Sequence, residues 1–85
     1  MKIQLRFFAS IREALNTSEE TVNLPAEVKT IGDVRHWLIA RGDVWADALA
    51  EGRALRMAYD QQLTDADTLI EDGGEVAFFP PVTGG

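Results

Sequence analysis

Hydrophobic and polar residues alternate in four separate stretches of the chain. Near the start, Ile3, Leu5 and Phe7 are interleaved with polar residues, and this period of two predicts a strand with one buried face. The same alternation predicts further strands over residues 20–24, 55–59 and 75–79. The turn signal Asp72-Gly73-Gly74 comes just before the last of them.

Two capping patterns predict helices between these strands. Ser10 as an N-cap, with Glu13 three residues later, predicts a short helix that ends near Asn16. Thr30, with Asp33 three residues later, predicts the start of a longer helix. The apolar face of this main helix is predicted to contain Ile31, Val34, Trp37 and Leu38. Gly42 is predicted to end it as a left-handed C′ residue, and residues 44–49 to form another short helical turn.

The predicted element order is β-(short α)-β-α-β-β, which indicates an α+β fold. A small mixed sheet with the main helix laid across it would bury one shared core. That core is predicted to comprise Ile3, Leu5, Phe7, Val22, Val34, Leu38, Leu55 and Val76. Among the topologies that the connection rules allow, the order favours the ubiquitin-like β-grasp. We therefore predict a β-grasp domain over residues 1–79 and an extended C-terminal tail over residues 80–85.

Composition narrows the classes of function. The 85 residues are enough for one small domain, and 46% hydrophobic residues provide an ordinary core. A net charge of -6 disfavours nucleic acid and anionic membranes as partners and suits a partner with a basic surface. The absence of cysteine excludes disulfides, thiolate zinc sites and a cysteine nucleophile. With no apolar signal segment visible, we expect a cytoplasmic protein.

The chain ends in Gly84-Gly85, preceded by two aromatics, two prolines and a β-branched pair. A terminal carboxylate with no side chain nearby can enter a narrow site and be activated there. Pro80 and Pro81 cannot continue strand pairing, so the tail should leave the sheet in an extended form. The alternatives are a functionless terminus and a chance Gly-Gly, which has odds of roughly 0.5% at average glycine usage.

The alternation also predicts an apolar patch beside the tail. In the last strand Phe79 faces away from Val76 and Phe78, and in the first strand Phe8 lies opposite to Phe7. If Phe7 is in the core, Phe8 and Phe79 lie outside it and form a partner-binding surface. The alternative is that the main helix or a loop covers both rings.

Other residues favour no separate active site. His36 is expected to be a partly exposed helix residue, since no nucleophile accompanies it. The acidic residues of the last third lack the spacing of a calcium loop and are interpreted as a solvated face. Trp37 and Trp45 are predicted to pack in or beside the core. Lys2 and Lys29 have no phosphate-loop context, so any ATP site must lie on a partner.

Both ends of the chain resemble one known family. The segment from Glu75 to Gly85, EVAFFPPVTGG, is similar to the C-terminus of the molybdopterin synthase small subunits, which are ubiquitin-like sulfur carriers. The segment from Phe7 to Glu13, FFASIRE, resembles their first strand and helix. The resemblance covers the whole chain and is most specific at the two ends.

The resemblance implies a sulfur-transfer cycle in which this chain is not a catalyst by itself. An E1-like enzyme would adenylate the carboxylate of Gly85 with ATP and Mg, and sulfur would replace AMP to give a thiocarboxylate. The chain itself would bind no cofactor and no metal. Its tail, with Pro80, Pro81, Val82, Thr83 and Gly84, would enter the active site of a large subunit within a heterotetramer. There the sulfur would pass to cyclic pyranopterin monophosphate and form the dithiolene of molybdopterin.

Three other interpretations remain open at this point. The chain could carry sulfur for another pathway, such as synthesis of the thiamin thiazole, cysteine synthesis, tRNA thiolation or tungsten-cofactor chemistry. It could be a ubiquitin-like modifier that forms isopeptide bonds with lysines of other proteins. It could also be a plain interaction domain with an inert end, in which case deleting Gly85 would have no effect.

Overall fold

The computed structural model describes residues 1–81. Within this range the chain forms five strands and three α-helices. In chain order these are β1 (Lys2–Phe7), α1 (Ala9–Leu15), β2 (Glu19–Asn23), α2 (Ile31–Ile39), α3 (Asp43–Ala48), β3 (Arg56–Tyr59), β4 (Gln62–Thr64) and β5 (Glu75–Phe79).

Over residues 1–81 the strands form one mixed sheet in the order β2-β1-β5-β3-β4. The two central strands, β1 and β5, run parallel, with Leu5 opposite Val76 and Phe7 opposite Phe78. The other neighbouring pairs are antiparallel. A hairpin, a crossing helix and a returning strand beside β1 are the topology of the ubiquitin-like β-grasp, so the predicted α+β fold is confirmed.

The core lies between the inner face of this sheet and the helices. Phe7 and Phe78 stack with ring centroids 6.3 Å apart, and Trp45 of α3 meets Phe7 edge-on at 5.6 Å. The apolar face of α2 is fully buried at Ile31, Val34 and Leu38. The predicted core is confirmed, except that Leu55 is only partly buried against it.

The predicted start of α2 at Thr30 is also confirmed. The Thr30 hydroxyl accepts a hydrogen bond from the Asp33 backbone N–H at 3.1 Å, and the Asp33 carboxylate accepts one from the Thr30 N–H at 3.1 Å. These bonds satisfy N–H groups that lack partners within the helix. Hydrogen bonds from the backbone N–H groups of Lys29 and Thr30 lower the pKa of the Asp33 carboxyl.

At the other end of α2, Arg41 covers one edge of the core. Its guanidinium carbon lies 5.1 Å from the ring centroid of Trp37 and 4.4 Å from that of Trp45. It also donates two hydrogen bonds, of 3.0 and 2.7 Å, to the Glu20 carboxylate. Both tryptophans are half-buried packing residues, as predicted.

Two local predictions were wrong, and one strand was missed. Helix α1 begins at Ala9 with Phe8 as its N-cap, so Ser10 lies inside the helix and caps nothing. Gly42 has a positive φ of 77° but an extended ψ of -171° and is the N-cap of α3, whereas α2 ends at Ile39 with Ala40 as its C-cap. The hairpin strand β4, residues 62–64, was not predicted.

Candidate functional site

The tail starts from the middle of the sheet. Strand β5, which lies between β1 and β3, ends at Phe79, and the half-buried Pro80 and exposed Pro81 follow outside the sheet. Because β5 pairs with a strand on each side, the point where the tail begins is fixed by hydrogen bonds to both neighbours. The other predicted tail residues, Val82, Thr83, Gly84 and Gly85, lie outside the described residues.

The structure brings the two predicted aromatic residues, Phe8 and Phe79, together where the tail begins. The rings of Phe8 and Phe79 meet edge-on, with centroids 6.4 Å apart. The Phe8 N–H donates a 3.3 Å hydrogen bond to the Phe78 carbonyl, which ties the end of β1 to the end of β5. Phe79 is half-buried and Phe8 is 40% exposed. The alternative that a helix or loop buries both rings therefore does not hold within residues 1–81.

The outer face of the sheet continues this apolar surface towards β4. Ala77 of β5 lies opposite Ala58 of β3, and Ala58 lies opposite Leu63. Cross-strand partners point to the same face, and this face is opposite to the one that buries Val76 and Phe78. The alanines are almost fully buried, whereas Leu63 is 66% exposed. The exposed apolar area therefore lies at the two ends of the row. We call the surface formed by these residues the outer patch: Phe8, Phe79, Ala77, Ala58 and Leu63.

Sequence reasoning missed Leu63 because it missed β4. The strand is three residues long, and the turn before it contains no glycine. The available signal was the polar-apolar-polar triplet Gln62-Leu63-Thr64 shortly after a predicted strand.

Arginine side chains border the outer patch. The Arg6 guanidinium carbon lies 5.5 Å from the centroid of the Phe8 ring, and Arg56 is the cross-strand partner of Phe79. Arg6 also lies 3.7 Å from a Glu19 carboxylate oxygen and 3.8 Å from one of Glu75, which are long distances for ion pairs. A chain with a net charge of -6 thus places cations around its aromatic pair.

The described residues do not assemble a metal site of their own. Within residues 1–81, no group of three or more His, Cys, Asp or Glu residues is placed to hold a metal ion. His36 is exposed on α2, as predicted, and its ring contacts the Glu51 carboxylate. None of the helices described between residues 1 and 81 has the length and apolar character needed to cross a lipid bilayer.

Comparison with known proteins adds a family match and full-length relatives. The model of the ThiS family matches residues 5–85. A protein of Escherichia coli (strain K12) named molybdopterin synthase sulfur carrier subunit is 42% identical over 83 residues, which cover 98% of this chain and 99% of that protein. Small archaeal modifier protein 3 of Haloferax volcanii is 31% identical over 93 residues, with full coverage of both chains.

A solved structure has the same fold. One chain in the protein-protein complex of subunits 1 and 2 of molybdopterin-converting factor from Helicobacter pylori 26695 superimposes with a TM-score of 0.68. The two chains are 22% identical, and the superposition covers all of both. The fold described above therefore recurs in a chain of low sequence identity.

Proposed function

This chain belongs to the ThiS family, and from that premise we propose that it is the sulfur-carrier subunit of a molybdopterin synthase. The observation that carries the proposal is the position of the tail. In a chain 42% identical to a relative of that name, the tail that ends in Gly-Gly follows the central strand β5, and its first residue, Pro80, comes directly after the ring pair of Phe8 and Phe79. This arrangement suits a domain that docks with its outer face and extends its terminus into a partner.

In the proposed cycle the reacting atom is the carboxyl carbon of Gly85. An E1-like enzyme joins the carboxylate to AMP, using ATP and Mg and releasing pyrophosphate. A sulfur nucleophile then attacks the acyl carbon, so that a C–S bond forms, the C–O bond to AMP breaks and AMP leaves. The resulting thiocarboxylate donates its sulfur to cyclic pyranopterin monophosphate, and two such turnovers supply the dithiolene. Glycine suits this position because no Cβ blocks the approach to the carbonyl.

The proposed partner is a large subunit that holds the pterin substrate, in a heterotetramer with two copies of each chain in the cytoplasm. Two names support a partner: the E. coli relative is called a subunit, and the H. pylori structure is a complex of two subunits. Phe8, Phe79 and Leu63 provide the apolar contact, and Arg6 and Arg56 favour carboxylates at the rim of the partner's surface.

Deleting Gly85 tests the chemistry. We expect the intact chain, incubated with the activating enzyme, ATP and a sulfur source, to gain the mass difference between sulfur and oxygen. With the large subunit and the pterin precursor it should then give molybdopterin. The chain without Gly85 should give neither product, although its thermal unfolding is unchanged. Full product formation by the shortened chain would refute the proposal, and sulfur transfer without molybdopterin formation would indicate a carrier for another pathway.

Two exposed leucines provide a matched test of docking. Leu63 in the outer patch is 66% exposed, and Leu69, which lies in the loop that bridges to Thr30, is 69% exposed. An anchor residue in a protein interface contributes more than about 1.4 kcal/mol, so Leu63→Ala should weaken binding to the large subunit at least about tenfold. Leu69→Ala should change it less than about twofold. Equal effects of the two variants in titration calorimetry would exclude the outer patch as the docking surface.

A protein-modifier role is the second candidate, because the Haloferax relative is named a modifier. The two functions leave different products on Gly85. A carrier accumulates as a thiocarboxylate of the free chain, whereas a modifier appears in isopeptide adducts on other proteins. Mass spectrometry of the tagged chain recovered from cells, under denaturing conditions, distinguishes them.

A further inference from the structure

The three residues that carry the amino groups of this chain, Met1, Lys2 and Lys29, have their backbones at one end of the sheet. The sequence contains two lysines, Lys2 and Lys29. Lys2 donates its backbone N–H to the Asp72 carboxylate at 2.6 Å and accepts a bond from the Gly73 N–H at 2.7 Å. The Lys29 carbonyl accepts a bond from the N–H of Ile70, in the same loop, at 3.0 Å. The amino group of Met1 donates to the Leu24 carbonyl at 3.1 Å, next to Lys2.

The reactive tail leaves from the opposite end. Because β1 and β5 are parallel and Gln4 lies opposite Glu75, Lys2 is level with a position six residues before Phe79. At about 3.3 Å per residue the separation along the sheet is ~20 Å. The six residues after Phe79 span at most about 20 Å. Only a fully straight tail running back over the outer face would bring Gly85 level with Lys2.

The cations at the tail end are all arginines. Arg6 and Arg56 border the outer patch. Arg53 precedes Arg56 by three residues, and Arg12 in α1 donates its backbone N–H to the Phe8 carbonyl. A guanidinium stays protonated and delocalised at any physiological pH and is not a nucleophile. A lysine amine has a pKa near 10.4, so a fraction is always neutral and able to attack an acyl group.

We propose that this separation of amines from the tail is a specificity device that keeps the activated Gly85 from acylating its own chain. The inference rests on the proposed function, because it requires an activated carboxyl. In the side reaction that it prevents, a neutral lysine amine attacks the acyl carbon of the adenylate. A C–N bond forms, the C–O bond to AMP breaks, the amine loses a proton, and a dead-end ring results.

The arginines at the tail end thus keep positive charge for docking without a nearby nucleophile. A short tether gives attached groups an effective concentration in the millimolar range. An amine at position 56 would therefore compete strongly with an external sulfur donor, whereas an amine at the Lys2 end would rarely meet the tail. The argument concerns attack within one chain, so it does not depend on which partner activates Gly85.

A chemically installed thioester tests this inference without an activating enzyme. The full chain is prepared with a small-thiol thioester on Gly85, as wild type, Arg56→Lys, Arg12→Lys and Asn23→Lys. Asn23 is exposed and pairs with Lys2 across the sheet, so Asn23→Lys adds an amine at the distant end and is the matched control. Intact mass separates the ring, which is lighter than the hydrolysed chain by one water, and peptide mapping locates the new bond.

We expect Arg56→Lys and Arg12→Lys to form the ring at least about tenfold faster than Asn23→Lys, at rates independent of protein concentration. The wild-type chain should hydrolyse without forming it. Thermal unfolding of each variant confirms that its fold is kept. The inference is overturned if both tail-end variants form rings no faster than the control, or if the wild type forms a ring at Met1, Lys2 or Lys29. Failure of enzymatic adenylation would instead count against the proposed function alone, since the thioester bypasses that step.

Discussion

Arg35 is the buried cation of α2, and replacing it should destabilise the loop that leads to the outer patch. The side chain, in a residue only 7% exposed, donates from Nε to the Leu49 carbonyl at 2.7 Å. Its Nη2 donates to the carbonyls of Ala50 and Arg53, the latter at 3.0 Å. These carbonyls follow α3, where a helix end leaves backbone acceptors without partners. The loop then continues into β3, which carries Arg56.

Arg35→Met keeps most of the buried stem and removes the three hydrogen bonds. A net contribution of about 1–1.5 kcal/mol per bond, as for ordinary hydrogen bonds, gives a lower bound of about 3–4.5 kcal/mol for the loss, because charged donors contribute more. A domain of this size loses about 4–8 °C of Tm per kcal/mol, so Tm should fall by roughly 12–36 °C. Arg35→Lys should recover about half of the loss, because one ammonium cannot reproduce the planar fork of the guanidinium.

Arg53→Met is the matched control for this prediction. The Arg53 side chain is 55% exposed and lies 3.5 Å from Asp47, and exposed pairs contribute little to stability. Its effect on the free energy of unfolding should stay within about 0.5 kcal/mol. Urea unfolding followed by circular dichroism measures all three variants. If Arg35→Met falls within about 1 kcal/mol of Arg53→Met, the three hydrogen bonds are not what holds this loop.

Elements specified by neighbouring residues could be predicted from the sequence. The capping box at Thr30 and Asp33 is complete within four residues, so the start of α2 could be predicted from the sequence. The start of α1 was not, because it depends on a distant contact. The Phe8 N–H donates to the Phe78 carbonyl, 70 positions away along the chain. The N-cap of α1 is therefore Phe8, two residues before the predicted Ser10.

The hairpin that carries Leu63 was not predicted, because its turn lacks the residues that usually mark such a turn. Asp60 and Gln61 both have positive φ, 48° and 70°, in the two-residue turn between β3 and β4. This conformation normally calls for asparagine or glycine, and glutamine is unusual in it. The role of Arg35 could not be predicted either, since its acceptors are main-chain carbonyls 14 to 18 residues later, and carbonyls carry no sequence signal.

Two substitutions test the remaining structural inferences. Gly74 is buried against Tyr59, and an added Cβ would lie 2.7–2.8 Å from two of its ring carbons. Gly74→Ala should therefore lower stability by about 1–3 kcal/mol in urea unfolding, whereas Gly52→Ala, with nothing within 4 Å, should change it far less. Equal effects would contradict this packing. The pH dependence of stability tests the contact between Glu20 and Arg41, because hydrogen bonds from Arg41 lower the pKa of the Glu20 carboxyl in the folded state. A carboxyl with a lowered folded pKa contributes stability above its unfolded pKa and loses it as the pH falls through the folded value. The stability of wild type should thus drop more steeply than that of Glu20→Gln as the pH falls from about 5 towards 3. A difference in unfolding free energy between the two proteins that stayed constant over this range would show that Arg41 does not favour the charged form of Glu20.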